Sequence, residues 1–163
     1  LENLINEFAS IEEVIAASDS ITMKSYSLAD VIDNAKDMLL YDEDSERIVI
    51  HNAPRCTQTV TLNFKLASIA FKNLLDNAMK YAEDKKVTIV CKEGAVSFEN
   101  KAKPLSQDLQ TYFEPFVKDA QQNSSSFGLG LYIVKKILEV HSFRLDYSHE
   151  AGYNIFTVSF TDR

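Results

Sequence analysis

Asn73, Asn77, Lys80 and Asp84 recur at helical spacing around the stretch Asn73-Leu-Leu-Asp76-Asn77-Ala-Met-Lys80-Tyr81, while Ala67, Phe71, Leu74, Leu75, Ala78 and Ala82 fill the opposite side. Asparagine is a poor helix former, because its amide competes for backbone hydrogen bonds; a merely solvated face would favour Glu, Lys, Gln and Arg. On the wall of a pocket, a carboxamide offers a neutral oxygen to a hard cation and two donors to an anion. Lys80 adds a compact positive charge and Tyr81 an aromatic face. Together these groups suit a magnesium nucleotide. The plain alternative is a surface helix that tolerates its asparagines, and periodicity alone does not separate the two.

A second stretch bears on the choice. Phe127-Gly128-Leu129-Gly130 follows the polar run Gln121 to Ser126 and opens into an apolar-periodic segment. The chain has only four glycines, and two of them stand here. At a helix start the backbone N–H groups are unpaired and the macrodipole is positive, so glycines there let the chain approach a phosphate closely. Alone, such a Gly-x-Gly more often marks a tight turn; downstream of an Asn/Lys helix it becomes a candidate anion site.

The remaining composition sets bounds. With 163 residues and 45% hydrophobic content the chain can bury one substantial core. A net charge of −7 and the absence of a basic face disfavour nucleic-acid binding. Cys56 and Cys91 lie far apart with no Cys/His cluster, which reads as reduced cytosolic thiols in or near the core and not as a zinc site. No apolar run approaches a membrane span, so no membrane contact is expected from this chain, and its acidic start is unlike a signal peptide.

These motifs need elements to carry them. Leu1, Leu4, Phe8, Ile11 and Ile15 follow an a/d pattern that starts uncapped at the first residue, as the end of a longer helix would, or else as a short docking helix. Residues 19–25 read as a linker, and Ser27 as the N-cap of a helix through Leu39. Arg47 to His51 and Thr57 to Leu62 read as strands with a turn at Asn52-Ala-Pro54, and Asn63 as the cap of the asparagine helix. Val87 to Lys92 and Ala95 to Phe98 form a hairpin around Glu93-Gly94, and Phe143 to Ser148 with Tyr153 to Phe160 a second one turning at Ala151-Gly152. Ser106 to Tyr112 reads as a short helix and Leu129 to His141 as a longer one. Helices interspersed with hairpins give an α+β, two-layer sandwich, with a mixed, mostly antiparallel sheet on about three helices.

In this order, NLLDNAMKY, YFEPF and FGLGLYIVKKILEVH resemble the N, F and G2 boxes of the catalytic and ATP-binding domain of bacterial sensor histidine kinases. The resemblance runs from Tyr26 to the C-terminus and implies the α/β sandwich shared with gyrase, Hsp90 and MutL. Residues 1–18 resemble the last turns of the dimerisation helix, and 26–163 the catalytic domain. The resemblance implies ATP and Mg2+ as cofactors, a cytoplasmic location, a homodimer in the full-length protein, and two partners: the protein's own dimerisation domain and a response regulator. By the same resemblance Asn77 would hold Mg2+ with support from Asn73, Lys80 would meet phosphate, and Tyr81 would lie near adenine. Gly128, Leu129 and Gly130 would supply the lid hinge and phosphate-facing amides, Phe113 and Phe116 would anchor the lid, and Lys118 could reach the γ-phosphate.

Three comparisons with the family refine this. ATP-hydrolysing relatives carry a water-activating glutamate where Asn73 stands, so transfer to a histidine is favoured over hydrolysis. None of His51, His141 and His149 is followed by the Glu-x-Arg-Thr-Pro pattern of a phosphoacceptor, so the chain should bind ATP without phosphorylating itself; His141, at a helix C-terminus, sits where a cation is mildly favoured. The family's Asp-x-Gly-x-Gly is replaced by Glu99-Asn100-Lys101-Ala102-Lys103, and Ser126 stands for the first lid glycine. The adenine contact is expected from Glu99 first, with Asn100 as the alternative. The loss of these glycines also suits a degenerate domain that serves as an interaction module.

Overall fold

In a computed structural model of the chain, residues 12, 21–39, 48–51, 53–106, 109–112 and 130–160 are described. A five-stranded sheet runs in the order β2 (Ile48–His51), β4 (Val87–Lys92), β5 (Ala95–Lys101), β7 (Tyr153–Ser159), β6 (Arg144–Glu150). The β2–β4 pair is parallel and the other neighbours are antiparallel. A separate two-stranded sheet pairs β1 (Lys24–Ser27) with β3 (Thr59–Leu62).

Four helices occur among the described residues: α1 (Leu28–Met38), α2 (Phe64–Tyr81), the short α3 (Leu109–Tyr112) and α4 (Gly130–His141). The long ones carry their apolar residues on one stripe. Leu28, Val31, Ile32 and Ala35 of α1 and Ile133, Val134, Ile137 and Leu138 of α4 are buried, at the spacings one helix face requires. They meet the inward residues of the sheet, Val87 and Ile89 of β4, Val96 and Phe98 of β5 and Val158 of β7, in one core where Phe71 of α2 lies 5.5 Å from the Phe98 ring. This is the expected α+β sandwich.

Ladder register sets what each strand presents to the helices. Phe98 opposes Phe156, and Asn100 opposes Asn154. Side chains alternate along a strand, so Val96, Phe98 and Asn100 share the helix-facing side while Ser97 and Glu99 point away. Ser97 there makes a hydroxyl contact of 2.9 Å with Thr157.

Several local expectations change. Lys24 and Ser25, placed in a linker, form the first half of β1. The segment between β2 and β3 is a 3-10 helix, Ala53–Thr57, and the two strands do not pair with each other; each joins a different sheet. Ser27 occupies the N-cap of α1 without a side-chain cap bond, whereas Asn63 does cap α2, its side chain accepting from the Leu66 N–H at 3.0 Å. Cys56 and Cys91, read as two separate reduced thiols, are joined in a disulfide with a Cα–Cα distance of 5.3 Å. Sequence distance concealed this, because the 3-10 helix carrying Cys56 is folded against β4.

Of the first eighteen residues only Glu12 is described; its Oε1 accepts from the Tyr132 hydroxyl at 3.0 Å. The rest of the expected dimerisation-helix remnant lies outside the described residues.

Candidate functional site

A cavity of about 520 Å3 opens between α2, α4 and the sheet. Its helix wall is Asn77, Ala78 and Tyr81 from α2 and Leu131 from α4. Its sheet wall is Asn100, Asn154 and Phe156, and Ala102, Lys103, Pro104, Leu105 and Tyr112 close a further side.

The helix wall exists because α2 and α4 pack antiparallel and are pinned at both ends. At one end the Asn63 N–H, just before α2, donates to His141 Nε2 at 3.0 Å, while His141 Nδ1 lies 2.8 Å from the Ile137 carbonyl. An Nε2 that accepts must carry no proton, so this geometry holds the ring neutral. Burial pushes His141 below the usual imidazole value, outweighing the opposite effect of the Ile137 hydrogen bond. The mild preference for a cation at a helix C-terminus is therefore overridden. At the other end Gly130, the first residue of α4, lies so close to Asn77 that an added Cβ would stand 3.3 Å from both Asn77 Nδ2 and Oδ1. Two motifs far apart in sequence thus meet, a carboxamide beside a helix N-terminus, where the macrodipole is positive.

The chain ends α4 without glycine. Ser142 takes φ 58°, and bonds from Phe143 N–H to Leu138 O and from Ser142 N–H to Glu139 O complete a Schellman stop. This places Phe143, and then β6, under the helix.

Of the residues singled out by sequence, Asn77, Tyr81 and Asn100 line the cavity, and Gly130 abuts it through Asn77. Four others do not line it. Asn73 is 4% exposed and its Nδ2 donates to the Ile69 carbonyl at 2.9 Å, so part of its amide is spent inside its own helix. Lys80 is exposed and pairs with Asp76 at 3.1 Å, one turn back. Glu99, the first choice for the adenine contact, points from the other face of the sheet, and on strand parity it is the alternative, Asn100, that lines the cavity. Asp84 lies beyond the end of α2, where its Oδ1 accepts from the Lys86 N–H. Lys118, Gly128, Leu129, Phe113 and Phe116 lie outside the described residues.

Sequence reasoning missed Asn154, Phe156, Leu105 and Tyr112 as lining residues. One signal was present: Asn154 is an amide at an inward position of a strand otherwise alternating Phe156, Val158. Its role is structural, since Oδ1 accepts from the Tyr147 hydroxyl at 2.7 Å and Nδ2 donates to the Lys103 carbonyl at 3.1 Å, holding the 102–105 segment to the sheet.

The donor set fits a nucleotide. Ala78, Ala102, Pro104, Leu105, Leu131 and Phe156 form apolar walls suited to a flat heterocycle. Asn100 is buried among them and its Nδ2 has no hydrogen-bond partner among the described residues, a state that costs about 1–3 kcal/mol unless a ligand supplies an acceptor. Among the described residues no cluster of three or more His, Cys, Asp or Glu could hold a metal alone. Asn77 Oδ1 is a neutral oxygen of the kind that suits a magnesium ion carried by a nucleotide's phosphates.

Comparison with known proteins agrees with this geometry. The family model described as histidine kinase-, DNA gyrase B-, and HSP90-like ATPase matches residues 64–163. The chain is 35% identical over 159 residues to the sensor histidine kinase ArsS of Helicobacter pylori, covering 97% of this chain and 37% of ArsS. It is 30% identical over 146 residues to the sensor histidine protein kinase HK06 of Streptococcus pneumoniae, covering 87% of this chain and 31% of HK06. It thus spans only 37% and 31% of the lengths of these curated relatives. Among solved structures, the histidine kinase AdeS of Acinetobacter baumannii superposes with a TM-score of 0.70 at 16% identity, over 98% of this chain and 80% of that one. The catalytic domain of the histidine kinase ThkA superposes with a TM-score of 0.64 at 20% identity, over 84% of this chain and 93% of that one. These two show the fold alone; with the family model matching more than half of its residues, the chain belongs to the histidine kinase-, DNA gyrase B- and HSP90-like ATPase family.

Proposed function

We propose that this chain is the catalytic and ATP-binding domain of a sensor histidine kinase. It holds Mg-ATP for γ-phosphoryl transfer to a histidine on a dimerisation domain, from which the phosphoryl group passes to a response regulator. The observation that carries this reading is the meeting of Asn77 with Gly130 at the N-terminus of α4, on the rim of an apolar cavity. There Asn77 would help to hold magnesium, which would supply charge neutralisation, and the first amides of α4 would face phosphate oxygens. Tyr81 and the apolar walls would enclose the base.

Transfer is favoured over hydrolysis because the Asn73 amide cannot serve as a general base, and its Nδ2 is already engaged with Ile69. Catalysis by such a site rests on alignment and charge neutralisation. Lys80, Lys118, Gly128 and Leu129 keep their proposed phosphate and lid roles, Lys80 on condition that it leaves Asp76 for the ligand. The full-length protein would be a homodimer with this domain on the cytoplasmic side, where ATP is available; among the described residues no helix is long and apolar enough to cross a membrane.

Joining the chain to a helix pair that carries the family's histidine tests the proposal. Acid-labile phosphorylation of that histidine from ATP is the expected result. Nucleotide binding without any transfer would favour an interaction module instead.

A further inference from the structure

The sheet wall of the cavity presents two amides side by side, Asn100 on β5 and Asn154 on β7. They differ in freedom. Asn154 is held at both ends, by the Tyr147 hydroxyl at 2.7 Å and the Lys103 carbonyl at 3.1 Å. Tyr147 is itself engaged, its oxygen accepting from the Leu105 N–H at 3.0 Å. Asn100 is 2% exposed, and its Nδ2 has no partner among the described residues. It is thus the one amide of this wall with a hydrogen-bonding edge left for a ligand.

We propose that Asn100 reads the edge of the purine base and that, as a carboxamide, it admits 6-oxopurine nucleotides as well as 6-aminopurine ones. This rests on the nucleotide-site reading above. A carboxylate at this place would only accept hydrogen bonds; it suits the 6-amino group of adenine and repels the 6-carbonyl of guanine or hypoxanthine. A carboxamide carries an acceptor and a donor side by side. In one orientation Oδ1 accepts from the 6-amino group while Nδ2 donates to N1. After a half turn about χ2, Nδ2 donates to the 6-carbonyl and Oδ1 accepts from the N1–H. Both pairings are neutral and bidentate.

The half turn is open to Asn100 because no group among the described residues holds its Nδ2, in contrast to Asn154. Among the described residues no carboxylate beside Asn100 restores the bias: Glu99 points from the opposite face, and Glu83, the one acid lining the cavity, is exposed. Ala102, Pro104, Leu105 and Phe156 are apolar and do not distinguish the two edges.

Calorimetric titration of the unmodified chain with ATP, ITP and GTP in the presence of Mg2+ tests this. ITP lacks the 2-amino group and so reports the 6-position alone. The expected result is an ITP dissociation constant within about tenfold of that for ATP. Asn100→Asp should then weaken ITP by at least about tenfold relative to ATP, with circular dichroism showing that the variant is folded; GTP, whose 2-amino group and N1–H a carboxylate can accept together, is the control for that second pairing. Asn100→Ala, which removes the edge without adding charge, should weaken ATP and ITP alike. If ATP binds but ITP is more than about tenfold weaker, or if Asn100→Asp leaves their ratio unchanged, the inference is overturned and the ATP reading stands. If none of the three nucleotides binds, the ATP reading itself fails.

Discussion

Asn77 and Gly130 are the residue pair on which the site turns, because one supplies the polar atoms and the other the room for them. A methyl group at Gly130 would sit 3.3 Å from both polar atoms of the Asn77 carboxamide, tighter than ordinary contact. Yet alanine is the better helix former, by about 1 kcal/mol. Gly130→Ala is therefore expected to leave stability within about 1 kcal/mol of the parent while lowering Mg-ATP affinity by about tenfold or more, read by thermal unfolding and calorimetry side by side. An unchanged affinity would reduce Gly130 to packing. At this scale the sequence was readable where a residue type is unusual for its element, as at Asn77 and Gly130. It was not readable where parity decides: Glu99 and Asn100 are adjacent, and only the pairing of Asn100 with Asn154 shows which of them faces the cavity.

At the scale of elements, the site depends on α2 and α4 keeping their antiparallel registration, and His141 holds the end remote from the cavity. Its pKa is lowered in the folded chain, so between that lowered value and the unfolded value of 6.5 the unfolded chain binds more protons. Its contribution to stability is accordingly complete above about pH 6.5 and is lost as pH falls below it. Thermal unfolding followed from pH 7.5 to 5 should show this decline, and His141→Gln, which keeps an acceptor for Asn63 but cannot titrate, should flatten it. The helices themselves were legible from period, and Asn63 from its capping chemistry. Strand β1 was not, because Lys24 and Ser25 resemble a linker, and Ser27 a helix cap, until β3 pairs with them. Nor was the parallel β2–β4 pair, since a turn between consecutive strands resembles a hairpin whether or not they pair.

For the molecule as a whole, one core carries the sandwich, and the Cys56–Cys91 disulfide ties the 3-10 segment to β4 across a sequence separation of 35. Chain-entropy reasoning gives such a loop roughly 4 kcal/mol of stabilisation, so reduction should lower the denaturation free energy by up to that amount, and Cys56→Ser should reproduce the loss without reductant. Fold class and the order of the motifs were legible in sequence because they rest on periodicity and on residue types; the cavity was legible only in part, because strand register, which spacing does not reveal, assembles Asn154, Phe156 and Leu105. The central claim, that this cavity holds Mg-ATP, is tested most directly by titrating the isotope-labelled chain with Mg2+ and a non-hydrolysable ATP analogue while following amide chemical shifts. Saturable shifts concentrated at Asn77, Tyr81, Asn100, Ala102 and Leu131, with Ile48–His51 at the sheet edge unmoved, are the predicted result; no saturable shift at these residues at millimolar ligand would contradict it.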